Sequence, residues 1–351
     1  MNYYDSLNDE IKAYFNILSN EFPVWLNDYI NTKEMLRIGG TSLSCGVCYS
    51  GLFKQDYFYS NLDHSVGVAL IIWHFTHDKK ASLAGLFHDI ANPSFKHSID
   101  FMNGDYKKQE STEKRTVSII KNSKEIVSLL KKDNINIEDV IDYKMYPIAD
   151  NKSPKLSADR LEYTCYMSTA MGLISFDTLK KLVEDIYIAD VGCEKEMCFR
   201  TKKYAKKFAE IAIECGRFMS SPLSNIANNF LADTLKVAVE EKVLVEDDFN
   251  NLTEDELILK MENSNNLKVL KYWNTFKTFD KVWDSKEEDL DNYCINVKVK
   301  SRYINPLCSE NTKPTRIADL DVDIKNNIED FVTTANTKYC VMNVKKDYIK
   351  D

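Results

Sequence analysis

The sequence predicts a mainly α protein closed by a small C-terminal α+β segment. Three observations carry that expectation. Glycine and proline are sparse, 10 and 7 among 351 residues, so few positions break a regular element. Apolar residues in stretches such as FDTLKKLVEDI and YAKKFAEIAIECGRFM recur at a spacing of about 3.6, not every second residue. Only the tail, in YCINVKVKSRYI and KYCVMNV, is rich in alternating β-branched and aromatic positions.

Taken in order, a first helix is expected in LNDEIKAYFNILS, then one over 64–77 (HSVGVALIIWHFTH) and one over 80–90 (KASLAGLFHDI). Asn92-Pro93 reads as a turn, with Pro93 suited to the first turn of a helix over SFKHSIDFM that stops near Asn103-Gly104. Further helices are expected at 112–122, 157–171, 175–186, 200–219 and 222–242. The charged run SKEEDLDN, 285–292, reads as a loop. Strands are expected at 293–304 and 338–344, with a helix in IADLDVDIKNNIEDFV between them. The expected division is a helical domain over 1–245 and an α+β segment over 246–351.

Composition excludes several function classes. The formal net charge of −8 disfavours a surface that coats nucleic acid, because phosphate backbones require clustered Lys and Arg. No basic region followed by an apolar core opens the chain, and the apolar run VGVALIIW is too short to span a bilayer, so a cytoplasmic location is expected. Nine scattered cysteines do not resemble a disulfide framework. The lone pair Cys45 and Cys48 lacks the second ligand pair of a structural zinc site.

The stretch AGLFHDIANPSFKHSID, 84–100, sets the chemical question. A His beside an Asp in apolar surroundings is costly unless it is paired, hydrogen-bonded or metal-bound. All five histidines, His64, His74, His77, His88 and His97, fall in one short region. Consecutive helices joined by short connections pack as neighbours, so three helix faces can converge there. His64, His88 and Asp89 then offer three ligands for a borderline divalent metal, which prefers imidazole and carboxylate. Asp159 is the candidate fourth; it reads equally as an exposed first-turn residue favoured by the helix dipole. His74 and His77 lie roughly 15 and 20 Å along the axis from His64, too far to share its metal. Lys206, in the basic stretch FRTKKYAKKF, belongs either to a solvated helix face or to a grip on polyphosphate; Arg217 is a weaker candidate of that kind.

The ordered segments SNLDHSVGVALI, AGLFHDIANPSFKHSID and ADRLEYT resemble the HD superfamily of metal-dependent phosphohydrolases, and within it the deoxynucleoside triphosphate triphosphohydrolase branch. That branch shows R-x-x-H-S-x-G-V, then H-D-x-x-H-x-P-F-x-H, then D-[KR]-x-[DE]-Y. The resemblance covers about residues 35–245. It implies an HD helical bundle and one divalent metal (Mn, Fe, Zn, Ni or Co, with Mg possible) on His64, His88, Asp89 and Asp159. It also implies His97 facing phosphate, Asp100 supporting it, Glu113 as half of a catalytic His-Glu pair, and Arg160 and Tyr163 touching nucleotide. A homo-oligomer is implied in the same way. Three positions depart from the pattern. Asn92 stands for a histidine and could hydrogen-bond phosphate, Thr112 for the histidine of the pair, and Asn61 for an arginine. The expected activity is metal-dependent hydrolysis of a nucleotide or similar small phosphate ester. The alternative is a catalytically weak HD protein that binds nucleotide and acts as a regulator or scaffold.

Overall fold

A computed structural model describes residues 2–53, 57–102, 113–299, 301–310, 313–335 and 338–350. Helices dominate, and the four that matter for the site are short-range neighbours in sequence or space. Asn61–Thr76 packs against Lys79–Phe87, Lys96–Met102 follows, and Ala158–Ala170 crosses back onto Asn61–Thr76. Two long helices, Lys202–Met219 and Pro222–Glu240, form the next layer. Among the described residues no helix is long and apolar enough to cross a membrane.

Local chemistry places each element. Ser60 caps Asn61–Thr76: its hydroxyl accepts the Asp63 N–H at 3.0 Å while the Asp63 carboxylate accepts the Ser60 N–H at 2.7 Å. The Asp78 carboxylate accepts the N–H groups of Lys80 and Ala81 and starts Lys79–Phe87. Ser157 does the same for Ala158–Ala170, and Pro222 occupies the first turn of its helix. The second of these helices is shorter than expected. It stops at Phe87, so His88 and Asp89 lie just beyond its last turn rather than inside it.

Among the described residues seven strands form two sheets. β1 (Ile186–Val191) and β2 (Glu194–Phe199) make an antiparallel hairpin about Gly192, whose φ of +65° suits a residue without Cβ. β5 (Leu307–Cys308) adds parallel to β2, and β6 (Thr315–Arg316) closes that sheet. β3 (Val282–Ser285) and β4 (Asn292–Ile295) flank β7 (Tyr339–Lys345) in the second. The sequence pattern does not reveal the hairpin, because the Glu-Lys-Glu at its second strand masks the alternation. The strand expected over 293–304 is confined to Asn292–Ile295. The residues after it leave the ladder and run onto the helical body.

The chain after 245 is thus interleaved with the chain before it. Helix Val322–Thr334 packs on Lys202–Met219, and β7 packs on Pro222–Glu240. Two large apolar cores result among the described residues, with a small third cluster of Ala189, Cys198 and Leu307. One gathers Phe15, Tyr29, Leu70, Phe87 and Phe208; the other gathers Phe95, Phe230, Leu231, Trp273 and Phe276. The segment from Phe87 to Phe95 passes from the first core to the second, and the His-Asp pair sits on that passage.

Candidate metal centre

Three segments bring the candidate ligands together at the floor of a cavity of about 840 Å³. His64 comes from the first turn of Asn61–Thr76, His88 and Asp89 from the turn after Phe87, and Asp159 from the first turn of Ala158–Ala170. His64 Nε2 lies 3.3 Å from Asp159 Oδ1 and 3.9 Å from Asp89 Oδ2. His88 Nε2 lies 3.6 Å from Asp89 Oδ2 and 3.9 Å from Asp159 Oδ1. One ligand atom from each of His64, His88 and Asp89 fits within 4.8 Å of the others. The Asp159 side chain is 23% exposed and turned into this group, not out to solvent.

The other ring nitrogens are already engaged. His88 Nδ1 meets the Gly85 carbonyl at 2.7 Å. His64 Nδ1 is hydrogen-bonded to the Glu162 carboxylate. Each ring therefore presents its Nε2 lone pair to the centre, the usual arrangement of a metal-ligating histidine. The donor set of two imidazole nitrogens and two carboxylate oxygens fits one divalent transition metal.

Glu162 is a functional residue that the sequence reading passes over, although the D-R-x-E-Y spacing puts it on the Asp159 face. It is fully buried (0% exposed) and accepts hydrogen bonds from the hydroxyls of Tyr14 at 3.0 Å and Tyr59 at 2.6 Å. Gly67 makes room for it: a Cβ there would fall 2.8 Å from Glu162 Cγ. Burial disfavours a charged His64 ring, but Glu162 and Asp159 outweigh it and hold its pKa up to about 10 without a metal.

Lys96 is the second addition. Its ammonium lies 2.7 Å from Asp89 Oδ2. Burial alone would raise the Asp89 pKa; Lys96, His88 and His64 instead hold it well below the usual carboxylate range. Nothing in the sequence pattern marks Lys96, because its role comes from the turn that folds it back over the His-Asp pair.

That turn is tightly held. Arg37 donates to the carbonyls of Ile90 (3.0 Å) and Asn92 (2.7 Å). Ser94 N–H and hydroxyl bond the carbonyls of Phe249 and Leu252 at 2.8 and 2.6 Å. Phe95 adopts φ +63°, a conformation that costs a non-glycine residue on the order of 1–3 kcal/mol. Its N–H is held 3.2 Å from the Glu254 carboxylate. The left-handed Gly46 leaves space for the Phe95 ring, which a Cβ there would meet at 2.3 Å.

The other expected residues divide. His97 lines the cavity, with Nδ1 3.0 Å from Asp100 Oδ2. Burial lowers the pKa of this ring, Lys96 and Arg302 add to the effect, and Asp100 opposes it. With Nδ1–H given to Asp100, Nε2 carries the lone pair. Asn92 also lines the cavity. It is 2% exposed, and its amide nitrogen has no hydrogen-bond partner among the described residues. Tyr163 lines the wall, and burial raises its hydroxyl to about 12, so it remains a donor.

Arg160 reaches the cavity but commits its donors to its own loop. It forms an ion pair with the Asp150 carboxylate at 3.0 Å and donates to the carbonyls of Asn151 and Lys155 at 2.5 and 2.6 Å. Lys206 is not among the residues lining the cavity. It pairs with Asp321 and Asp323 at 3.1 and 3.3 Å, and Arg217 pairs with Asp330 at 2.9 Å, so both fasten the C-terminal helices. Asn61 is also turned away from the cavity, donating to Thr41 Oγ1 at 2.8 Å. Glu113 opens helix Glu113–Asn122, but its side chain lies outside the described residues, as does Thr112. His77 is 68% exposed at the far end of its helix, beside His74.

Comparison with known proteins gives the same picture. Residues 61–162 match the HD domain family model. The chain is 23% identical over 278 residues to the uncharacterized protein YdhJ of Bacillus subtilis, spanning 78% of this chain and 82% of that one. It is 24% identical over 161 residues to the metal-dependent phosphohydrolase cns2 of Cordyceps militaris, spanning 46% and 45%. Its fold resembles a phosphohydrolase of Bacteroides thetaiotaomicron (TM-score 0.62, 14% identity, 90% and 94% of the two chains). It resembles equally a hypothetical protein of Aquifex aeolicus (TM-score 0.62, 14% identity, 94% of both chains). Two imidazoles and two carboxylates are thus gathered from residues 64 to 159 in that order, within the stretch 61–162 that matches the HD domain model.

Proposed function

We propose that this protein is a metal-dependent phosphohydrolase acting on a nucleotide or a similar small phosphate ester. One observation carries the reading. Four donor atoms from three separate segments converge on the floor of a large cavity, with both spare ring nitrogens fixed from behind. The named relative cns2 supports the reaction class. His64, His88, Asp89 and Asp159 would hold a single divalent ion (Mn, Fe, Zn, Ni or Co, with Mg possible), and a bound ion supplies an activated water and a counter-charge for the phosphoryl group.

The protein's own groups then have separable tasks. Asn92 offers its unpartnered N–H to a phosphoryl oxygen. His97 Nε2, neutral and oriented by Asp100, accepts the proton of the attacking water and returns it to the leaving oxygen. Tyr163 donates its hydroxyl to the substrate. Lys96 balances negative charge beside Asp89. Positioning and charge stabilisation of this kind carry most of phosphoryl transfer.

The test is hydrolysis of a panel of nucleoside mono- and triphosphates and an aryl phosphodiester, with manganese and with chelator. Metal-dependent release of phosphate or triphosphate is the expected result. A second reading, a nucleotide-binding HD regulator, draws on Asn92 standing where an acid–base histidine is expected. Nucleotide binding by a metal-loaded protein with no product from any substrate would favour it.

A further inference from the structure

The segment 301–303 has no part in the reading above, yet Ser301, Arg302 and Tyr303 all line the cavity. The segment is fixed there from several sides. Ile304 is buried in the first core, and Asn305 N–H bonds the Pro154 carbonyl at 2.9 Å. Arg316 reaches the Asn305 carbonyl at 3.1 Å, and Leu307 enters the sheet opposite Cys198. Gly216 permits the closest approach: a Cβ there would fall 2.2 Å from the Arg302 carbonyl oxygen. A glycine inside the long helix Lys202–Met219, here in its last turn, carries a helix penalty, and it lets another backbone lie directly on the helix.

The cavity holds five carboxylates, Asp89, Asp100, Asp142, Asp150 and Asp159, so an anionic substrate needs cationic compensation. Lys96, Lys144, Arg160 and Arg302 are the lysine and arginine residues that line it. Arg160 is bound to its own loop, Lys96 sits on Asp89, and Lys206 lies away from the cavity wall. Arg302 stands near enough to His97 and Tyr163 to act on both electrostatically. Tyr163 is one helical turn beyond Asp159, on the same face. A guanidinium, an imidazole and a phenol therefore converge beside the metal ligands.

We infer that Arg302, carried into the cavity by the C-terminal segment, anchors the negatively charged part of the substrate, which makes that segment a determinant of what the site accepts. The inference rests on the phosphohydrolase reading for its kinetic test but not for its binding test. Arg302→Gln is expected to keep full manganese content and the wild-type melting temperature. KM for the best nucleotide of the panel should rise roughly ten- to hundredfold, as for loss of a charged hydrogen bond, with kcat changed far less. Arg302→Lys should recover part of the loss. Gly216→Ala, which lifts the segment without removing the guanidinium, should shift KM in the same direction.

Calorimetric titration of the manganese-loaded protein with inorganic phosphate gives the independent readout, with Arg302→Gln binding phosphate roughly tenfold or more weakly. Unchanged KM and unchanged phosphate affinity would overturn the anchor, as would a fall in kcat at constant KM. If the wild-type protein hydrolyses nothing in the panel, the phosphohydrolase reading fails, and the phosphate titration still decides for or against Arg302.

Discussion

Asp89 faces both imidazoles and Lys96 at once, and His64 likewise faces three carboxylates, Asp89, Asp159 and Glu162. Asp89→Ala is expected to lose both bound metal and hydrolysis, measured by metal analysis of the purified protein; full metal content would remove Asp89 from the ligand set. His97 stands apart from the ligands, on Asp100. His97→Ala should retain metal and lose roughly 100-fold or more in kcat, the scale of a general acid–base group. Unchanged turnover would exclude it from proton transfer. Glu162→Gln tests the support behind His64. Loss of such a partner costs roughly 10–100-fold in metal affinity, read by competition with a chelating dye. The candidate ligands and His97 can be proposed from the sequence because they fall in three ordered segments that resemble the HD superfamily. Lys96 and Glu162 are less readily proposed, since one acts through a turn and the other through burial.

The decisive element is the turn from His88 to Phe95, because its backbone is fixed by groups distant in sequence. Residues 249–254 accept or receive three of its hydrogen bonds. Glu254 pays an electrostatic cost for this: burial raises its pKa from 4.5 to about 8, against the hydrogen bond from Phe95. The folded state therefore holds a proton that the unfolded chain releases between pH 4.5 and 8. This contribution to stability is fully present below pH 4.5 and is lost as pH rises through 8. Melting temperature should fall across that window in the wild type and fall less in Glu254→Gln; parallel profiles would count against the assignment. Sequence patterns cannot show such a clamp. Periodicity reports which face of a helix is apolar, and says nothing about which distant carboxylate meets Phe95. The hairpin of β1 and β2 was hidden for a related reason, its second strand opening on Glu-Lys-Glu where a strand pattern expects alternation.

Across the whole molecule, the site lies where two cores meet, and each core takes residues from both sides of residue 245. The helical class and the order of most helices were legible because amphipathic spacing is a local property. The partnership between the tail and the helical body was not, because β5 pairing with β2 and Arg302 lying over Gly216 are long-range contacts. A chain ended after residue 245 should lose the clamp on the His88–Phe95 turn together with the 301–303 wall. It is expected to melt without a sharp cooperative transition, followed by far-UV circular dichroism, whereas a full-length-like transition would show that the helical body stands alone. The placement of that wall also has a consequence in time. The four candidate metal ligands are translated by residue 159, but Ser301, Arg302 and Tyr303 leave the ribosome about 140 residues later, roughly 7–28 s at ordinary synthesis rates. A growing chain thus holds every ligand while its substrate chamber is still open on one side. Under the proposed function, synthesis itself would delay the onset of hydrolysis until the fold is nearly complete.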